Sequence, residues 1–187
     1  MFKEEFNKVA GAASAKNQLL KNNKLGYFIS SMLAGIYVGM AIMLIFTIGG
    51  LLTAAGSAAT KIIMGISFGG ALSLVVFAGS ELFTGNNFIM TVGSLNKAVS
   101  WIDTIKVWVA AFIGNLAGSI LAGYMFYLTG LAKASVGEFI ANTAATKMSL
   151  PASELFFRGV FCNILVCLAV WCTFRCKDDI SKLVMIF

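Results

Sequence analysis

The sequence predicts an all-α, polytopic membrane protein. Three observations carry this. Of 187 residues, 59% are hydrophobic and only 12% charged, with a mean hydropathy of +0.88. Soluble domains average about 45–50% apolar and about 25% charged. The charges cluster between long apolar runs, and one of those runs is interrupted by a short polar stretch in its middle.

The elements follow in chain order. Residues 1–26 carry Lys3, Glu4, Glu5, Lys8, Lys16, Lys21 and Lys24 without an apolar h-region, so they are not a signal peptide. Phe2, Phe6, Val9 and Ala13 recur at helical spacing, which predicts an amphipathic helix along the membrane surface. Residues 27–187 form the transmembrane domain. The first span covers about 27–52, long enough for one tilted crossing. The second covers about 62–95 and is broken near 79–87. The third covers about 107–131 and the fourth about 155–174. A fifth apolar segment begins over 180–187.

Charge placement gives the orientation. With the N-terminus inside, ten Lys or Arg fall on inside segments and four on or near outside ones. That is a positive-inside bias, and it places a multi-pass chain in the cytoplasmic membrane. The net charge of +6 therefore reads as topology, and no nucleic-acid partner is expected. Gly35 and Gly39, Gly65 and Gly69, and Gly114 and Gly118 repeat at the four-residue spacing that lets helices approach closely in lipid.

Catalytic chemistry has little material. The chain contains no histidine, which removes the commonest general base and metal ligand. No acid cluster and no nucleophile–base pair points to an enzyme. Cys162, Cys167, Cys172 and Cys176 lie at spacings that suit small buried hydrophobes better than a zinc site. No cofactor or metal is expected.

The chemistry sits in Ala78-Gly79-Ser80-Glu81-Leu82-Phe83-Thr84-Gly85-Asn86-Asn87. Two glycines, two hydroxyls, an acid and two amides do not belong in a lipid-facing helix. Backbone leaving the helix at this depth must be buried in protein or face a cavity. Half-helix ends exposed there carry partial charges, and an N-terminal end near Gly85 would offer N–H groups to an anion. Glu81 costs a few kcal/mol near the bilayer centre. It reads either as a gating residue or, with more weight, as a buried carboxylate that accepts backbone N–H bonds and shapes the loop.

The run Gly79 to Asn87 resembles the signature loop of the formate/nitrite transporter family. Arg158-Gly159 with Cys162-Asn163-Ile164-Leu165-Val166-Cys167-Leu168-Ala169-Val170-Trp171 resembles its second signature, and Gly114-Asn115 also fits. Gly85-Asn86-Asn87 looks most like the hydrosulfide-channel branch. The resemblance implies an aquaporin-like fold with broken second and fifth helices. It also implies a homopentamer with one pore per protomer, passing small monovalent anions such as formate, nitrite or hydrosulfide. By motif position, Phe68 and Leu72 match the outer constriction and Leu82 the cytoplasmic one. Phe83 and Thr84 match the mobile loop, with the Thr84 hydroxyl facing the central site. Lys147 matches a vestibule residue that attracts anions, and Asn163 a polar residue near the central histidine. Gly79, Glu81, Gly85 and Asn86 match the residues that shape the loop. The resemblance also implies a fifth-helix histidine and a sixth helix, neither of which occurs within these residues. The expectation is a piece of a longer protein, or a shortened member that does not conduct efficiently alone and serves as a scaffold or regulatory subunit.

Overall fold

A computed structural model describes residues 2–187. Eight helices follow one another: α1 (Lys3–Asn22), α2 (Lys24–Ala54), α3 (Thr60–Ala78), α4 (Phe83–Leu95), α5 (Trp101–Leu128), α6 (Ala134–Met148), α7 (Ala152–Arg175) and α8 (Asp179–Ile186). No strand occurs among the described residues. Four helices, α2, α3, α5 and α7, are long and apolar enough to cross a membrane. At about 1.5 Å per residue, the 31 residues of α2 exceed a hydrocarbon core of about 30 Å, so α2 tilts within the bilayer or projects beyond it.

The pair α2–α5 forms the centre, and glycine lets it form. A Cβ on Gly35 would overlap the Asn115 carbonyl, and one on Gly118 the Met32 carbonyl. A Cβ on Gly114 would strike the Ser31 side chain, and one on Gly39 would lie 3.0 Å from Ala122 Cβ. The two backbones therefore touch along the crossing, which is how helices associate where lipid removes the hydrophobic drive. Gly65 behaves differently: it faces open space, while Gly69 receives the ring of Phe187, the residue that follows α8.

The N-terminal helix is docked on protein as well as being amphipathic. Val9, Ala10 and Ala13 are buried, and α1 packs chiefly on α4. Gly93 of α4 makes room for Ala13. Phe2 and Phe6 turn to Trp171 of α7, with ring centroids 6.1 and 5.0 Å away, and Arg175 lies 4.6 Å over the Phe2 ring. Polar side chains on the same helix reach inward, Lys16 to Glu81 and Lys21 to Asp103.

Two boundaries show what composition conceals. α5 begins at Trp101, about two turns before the apolar stretch, because Ser100 caps it by accepting the Asp103 N–H at 3.0 Å. Asp103 then bonds Lys21 at 3.0 Å, so charges that look like a span boundary lie inside the helix. α6 has no counterpart in the sequence reading. Its weak apolar period is supported by packing: Gly49 and Gly50 of α2 admit Phe139 and Val136, and Phe46 meets Phe139 edge-on at 6.0 Å.

The side of α7 away from α1 and α4 is bare. Val170 is its one buried residue, while Phe156, Phe157, Phe161, Leu165 and Leu168 are exposed. An apolar face of this size requires lipid or protein to cover it. The four cysteines are free thiols, and Cys162 is exposed.

Candidate functional site

The membrane-length run that starts at Thr60 does unwind, over Gly79 to Leu82. Gly79 ends α3 with φ +75°, a conformation that side chains disfavour. Leu82 is extended, and α4 restarts at Phe83. The polar stretch is longer than the break: Thr84 to Asn87 are already helical.

Each unpaired backbone group at this depth would cost several kcal/mol. One side chain meets part of that demand on both sides of the break. Asn115, on α5, donates from Nδ2 to the Glu81 carbonyl at 2.9 Å and to the Ser31 carbonyl at 2.8 Å. Its Oδ1 accepts the Phe83 N–H at 2.9 Å. The Glu81 N–H donates to the Ser30 carbonyl at 3.3 Å. A single amide thus spans the break and ties it to α2. The amides of Thr84 and Gly85, in the first turn of α4, find no acceptor among the described residues. They form the positive end of a half-helix.

Glu81 is buried, and its partners are side chains rather than backbone amides. Lys16 Nζ donates to its two oxygens at 2.7 and 2.8 Å, and Asn86 Nδ2 donates at 2.9 Å. Asn86 also donates to the Tyr27 hydroxyl at 3.0 Å, and Tyr27 donates to the Val107 carbonyl at 3.4 Å. Trp108 Nε1 donates to the Asn86 carbonyl at 3.1 Å. The carboxylate charge is therefore balanced locally, and the chain of bonds joins α1, the break, α2, α4 and α5.

A cavity of about 370 Å³ opens beside the break. Leu72 of α3 and Leu82 line it, as do Gly79, Ser80, Glu81, Gly85, Asn86 and Lys16. Phe68 lies one turn from Leu72 and is 38% exposed. Phe83 points to α5, where it meets Phe112 edge-on at 5.5 Å. Thr84 abuts α7: its carbonyl receives the Cys167 thiol at 3.8 Å. Asn163 is half-buried and donates to the Gly159 carbonyl at 2.9 Å, with Asn87 Nδ2 3.5 Å from its oxygen. Lys147 stands apart, in a second cavity of about 490 Å³ with Glu138, Asn142 and Arg158.

Of the expected site residues, the structure thus gathers Leu72, Leu82, Gly79, Glu81, Gly85 and Asn86 around one cavity. Lys16, Tyr27 and Trp108 join that network without having been singled out by sequence. Lys16 is one of five lysines in the N-terminal segment, and spacing alone does not separate it from the others.

The fold that holds this broken helix and its cavity has counterparts among known proteins. A sequence profile described as formate/nitrite transporter matches residues 3–187. The chain belongs to the formate/nitrite transporter family. The nitrite transporter NirC of Escherichia coli is 40% identical over 192 residues, covering 100% of this chain and 69% of that protein. A solved structure of an FNT family ion channel superposes with a TM-score of 0.92 at 37% identity, over 99% of this chain and 73% of that one. A pentameric formate channel with formate bound superposes with a TM-score of 0.73 at 27% identity, over 89% of this chain and 66% of that one. As a formate/nitrite transporter family member, the chain has relatives that are transporters and channels rather than enzymes, and its fold is the aquaporin-like fold of the family.

Proposed function

We propose that this chain forms the conduction path of a channel for small monovalent anions, formate, nitrite or hydrosulfide, in the cytoplasmic membrane. Its N-terminus is inside, and it works as a protomer of a homopentamer. The observation that carries this reading is the break itself. A span of α3 and α4 unwinds at Gly79 to Leu82 beside a cavity lined by Leu72 and Leu82. Leu72, with Phe68 one turn away, and Leu82 are the apolar constrictions. Rings of this kind exclude hydrated ions by dewetting.

A bare anion entering such a ring loses its hydration, which is costly without replacement partners. Lys147 raises anion concentration at the outer mouth through its field. The unpaired amides of Thr84 and Gly85, with the Thr84 hydroxyl, supply donors between the rings. Phe83 moves with that first turn, and Asn163 holds α7 against it. Glu81 contributes no net repulsion while Lys16 is bonded to it. Gly85-Asn86-Asn87 favours the hydrosulfide branch among the three anions.

Proteoliposomes containing the full-length gene product test this reading. Formate, nitrite and hydrosulfide should each collapse an imposed gradient faster than through protein-free vesicles, while a large organic anion should not. Equal leak for all, or none for any, rejects the channel.

A further inference from the structure

Ser80 Oγ is the one buried side-chain oxygen or nitrogen among the described residues that lacks a hydrogen-bond partner. Its surroundings make this conspicuous. The backbone on its C-terminal side is clamped by Asn115 and Ser30, and Glu81 next to it is saturated by Lys16 and Asn86. A buried hydroxyl without a partner is costly and demands an explanation. General looseness does not provide one, because the backbone and side chain of Glu81, the next residue, are fully engaged.

Ser80 lines the same cavity as Leu72 and Leu82. A serine hydroxyl changes direction by rotation about χ1 between staggered wells. Gly79, immediately before it, has φ +75° and open space around its Cβ position, so that side of the segment has room to turn. The unfilled volume within reach of the residue is the cavity.

We propose that Ser80 determines anion specificity: its hydroxyl turns into the cavity and donates a hydrogen bond to the permeating ion. This rests on the anion-channel reading above. Lys16 is committed to Glu81, so Ser80 is an uncommitted neutral donor in that cavity. A hydroxyl donor discriminates by acceptor strength. The oxygens of formate and nitrite accept strongly, while sulfur is a weak acceptor. Ser80 therefore raises the passage of formate and nitrite relative to hydrosulfide, and so opposes the hydrosulfide tilt of Gly85-Asn86-Asn87.

The test compares initial fluxes of formate, nitrite and hydrosulfide in proteoliposomes of the full-length protein, unaltered and as Ser80→Ala and Ser80→Thr. In Ser80→Ala, formate and nitrite fluxes should fall about two- to tenfold relative to hydrosulfide, the rate equivalent of one hydrogen bond. Ser80→Thr keeps the hydroxyl and should keep the ratio. An unchanged ratio in Ser80→Ala overturns the proposal, whether all three fluxes fall together or none does. A ratio lost equally in Ser80→Thr overturns it as well, by assigning the effect to packing. If the unaltered protein passes none of the three anions, the channel reading itself fails, and that outcome is read before any variant is compared.

Discussion

Lys16 Nζ and the two carboxylate oxygens of Glu81 lie 2.7 and 2.8 Å apart across 65 residues of sequence, with side chains only 17% and 10% exposed. The pair pins α1 to the unwound segment. In a poorly hydrated site, two charges that satisfy each other are nearly neutral in net stability, whereas one left alone is not. Glu81→Ala or Lys16→Ala alone should each cost about 2–4 kcal/mol, below the full penalty because both groups keep some water. The double substitution should cost less than the sum of the two. Thermal unfolding in detergent measures this, and additive losses would show that the pair is not coupled.

Asn115 makes a second prediction. Asn115→Leu has similar bulk but leaves the Glu81 and Ser31 carbonyls and the Phe83 N–H without their partner. Each buried unsatisfied group costs about 1–3 kcal/mol. The variant should lose several kcal/mol and insert poorly or unfold early. Asn115→Asp keeps the acceptor for Phe83 but loses both donations, and should be no better. Hydrogen exchange at the Phe83 amide is the local readout. Protection there unchanged in Asn115→Leu would sink the clamp.

The break was legible in the sequence because its composition is wrong for lipid. Gly79, Ser80, Glu81, Asn86 and Asn87 within one apolar run leave no other reading. The partner of the break was not. Asn115 is a single amide in a helix of membrane length, and only the fold brings it within 2.9 Å of residues 32 and 34 positions earlier. Lys16 was hidden for a different reason: exposed and bonded lysines look alike in sequence. α6 was missed because its residues carry little periodic apolar character, and the glycine hollows of α2 that hold Phe139 and Val136 are a tertiary fact. The α2–α5 crossing was legible, since paired glycines at four-residue spacing on two spans have one economical use. Gly65 shows the limit of that signal: it has the spacing and meets nothing within 4 Å.

That contrast is itself testable. Gly118→Ala would place a methyl on the Met32 carbonyl, and Gly35→Ala one on the Asn115 carbonyl. Backbone cannot yield as a side-chain tip can, so α2 and α5 must separate, at about 1–3 kcal/mol each. Gly65→Ala and Gly123→Ala meet no atom within 4 Å. They should be neutral or stabilise slightly through helix propensity. Melting temperatures of the four variants should fall into these two groups. Similar losses in all four would mean that glycine flexibility, rather than close approach, is what matters.

Lys147 lies in the second cavity, exposed, with Arg158 and Glu138 on the same wall. Arg158 is engaged by Glu154 at 3.2 Å, which leaves Lys147 as the cation of that wall without an acidic partner among the described residues. A charge that acts by steering changes entry rather than passage, and salt screens it. Lys147→Glu should therefore lower anion flux severalfold at low anion concentration and low ionic strength. The deficit should shrink as the screening length falls from about 30 Å at 0.01 M salt to about 8 Å at 0.15 M. The saturating flux should change little, because Leu72 and Leu82 lie in the other cavity. A deficit that persists unchanged at high salt would place the effect of Lys147 in folding or in direct contact with the ion, and the steering role would fail.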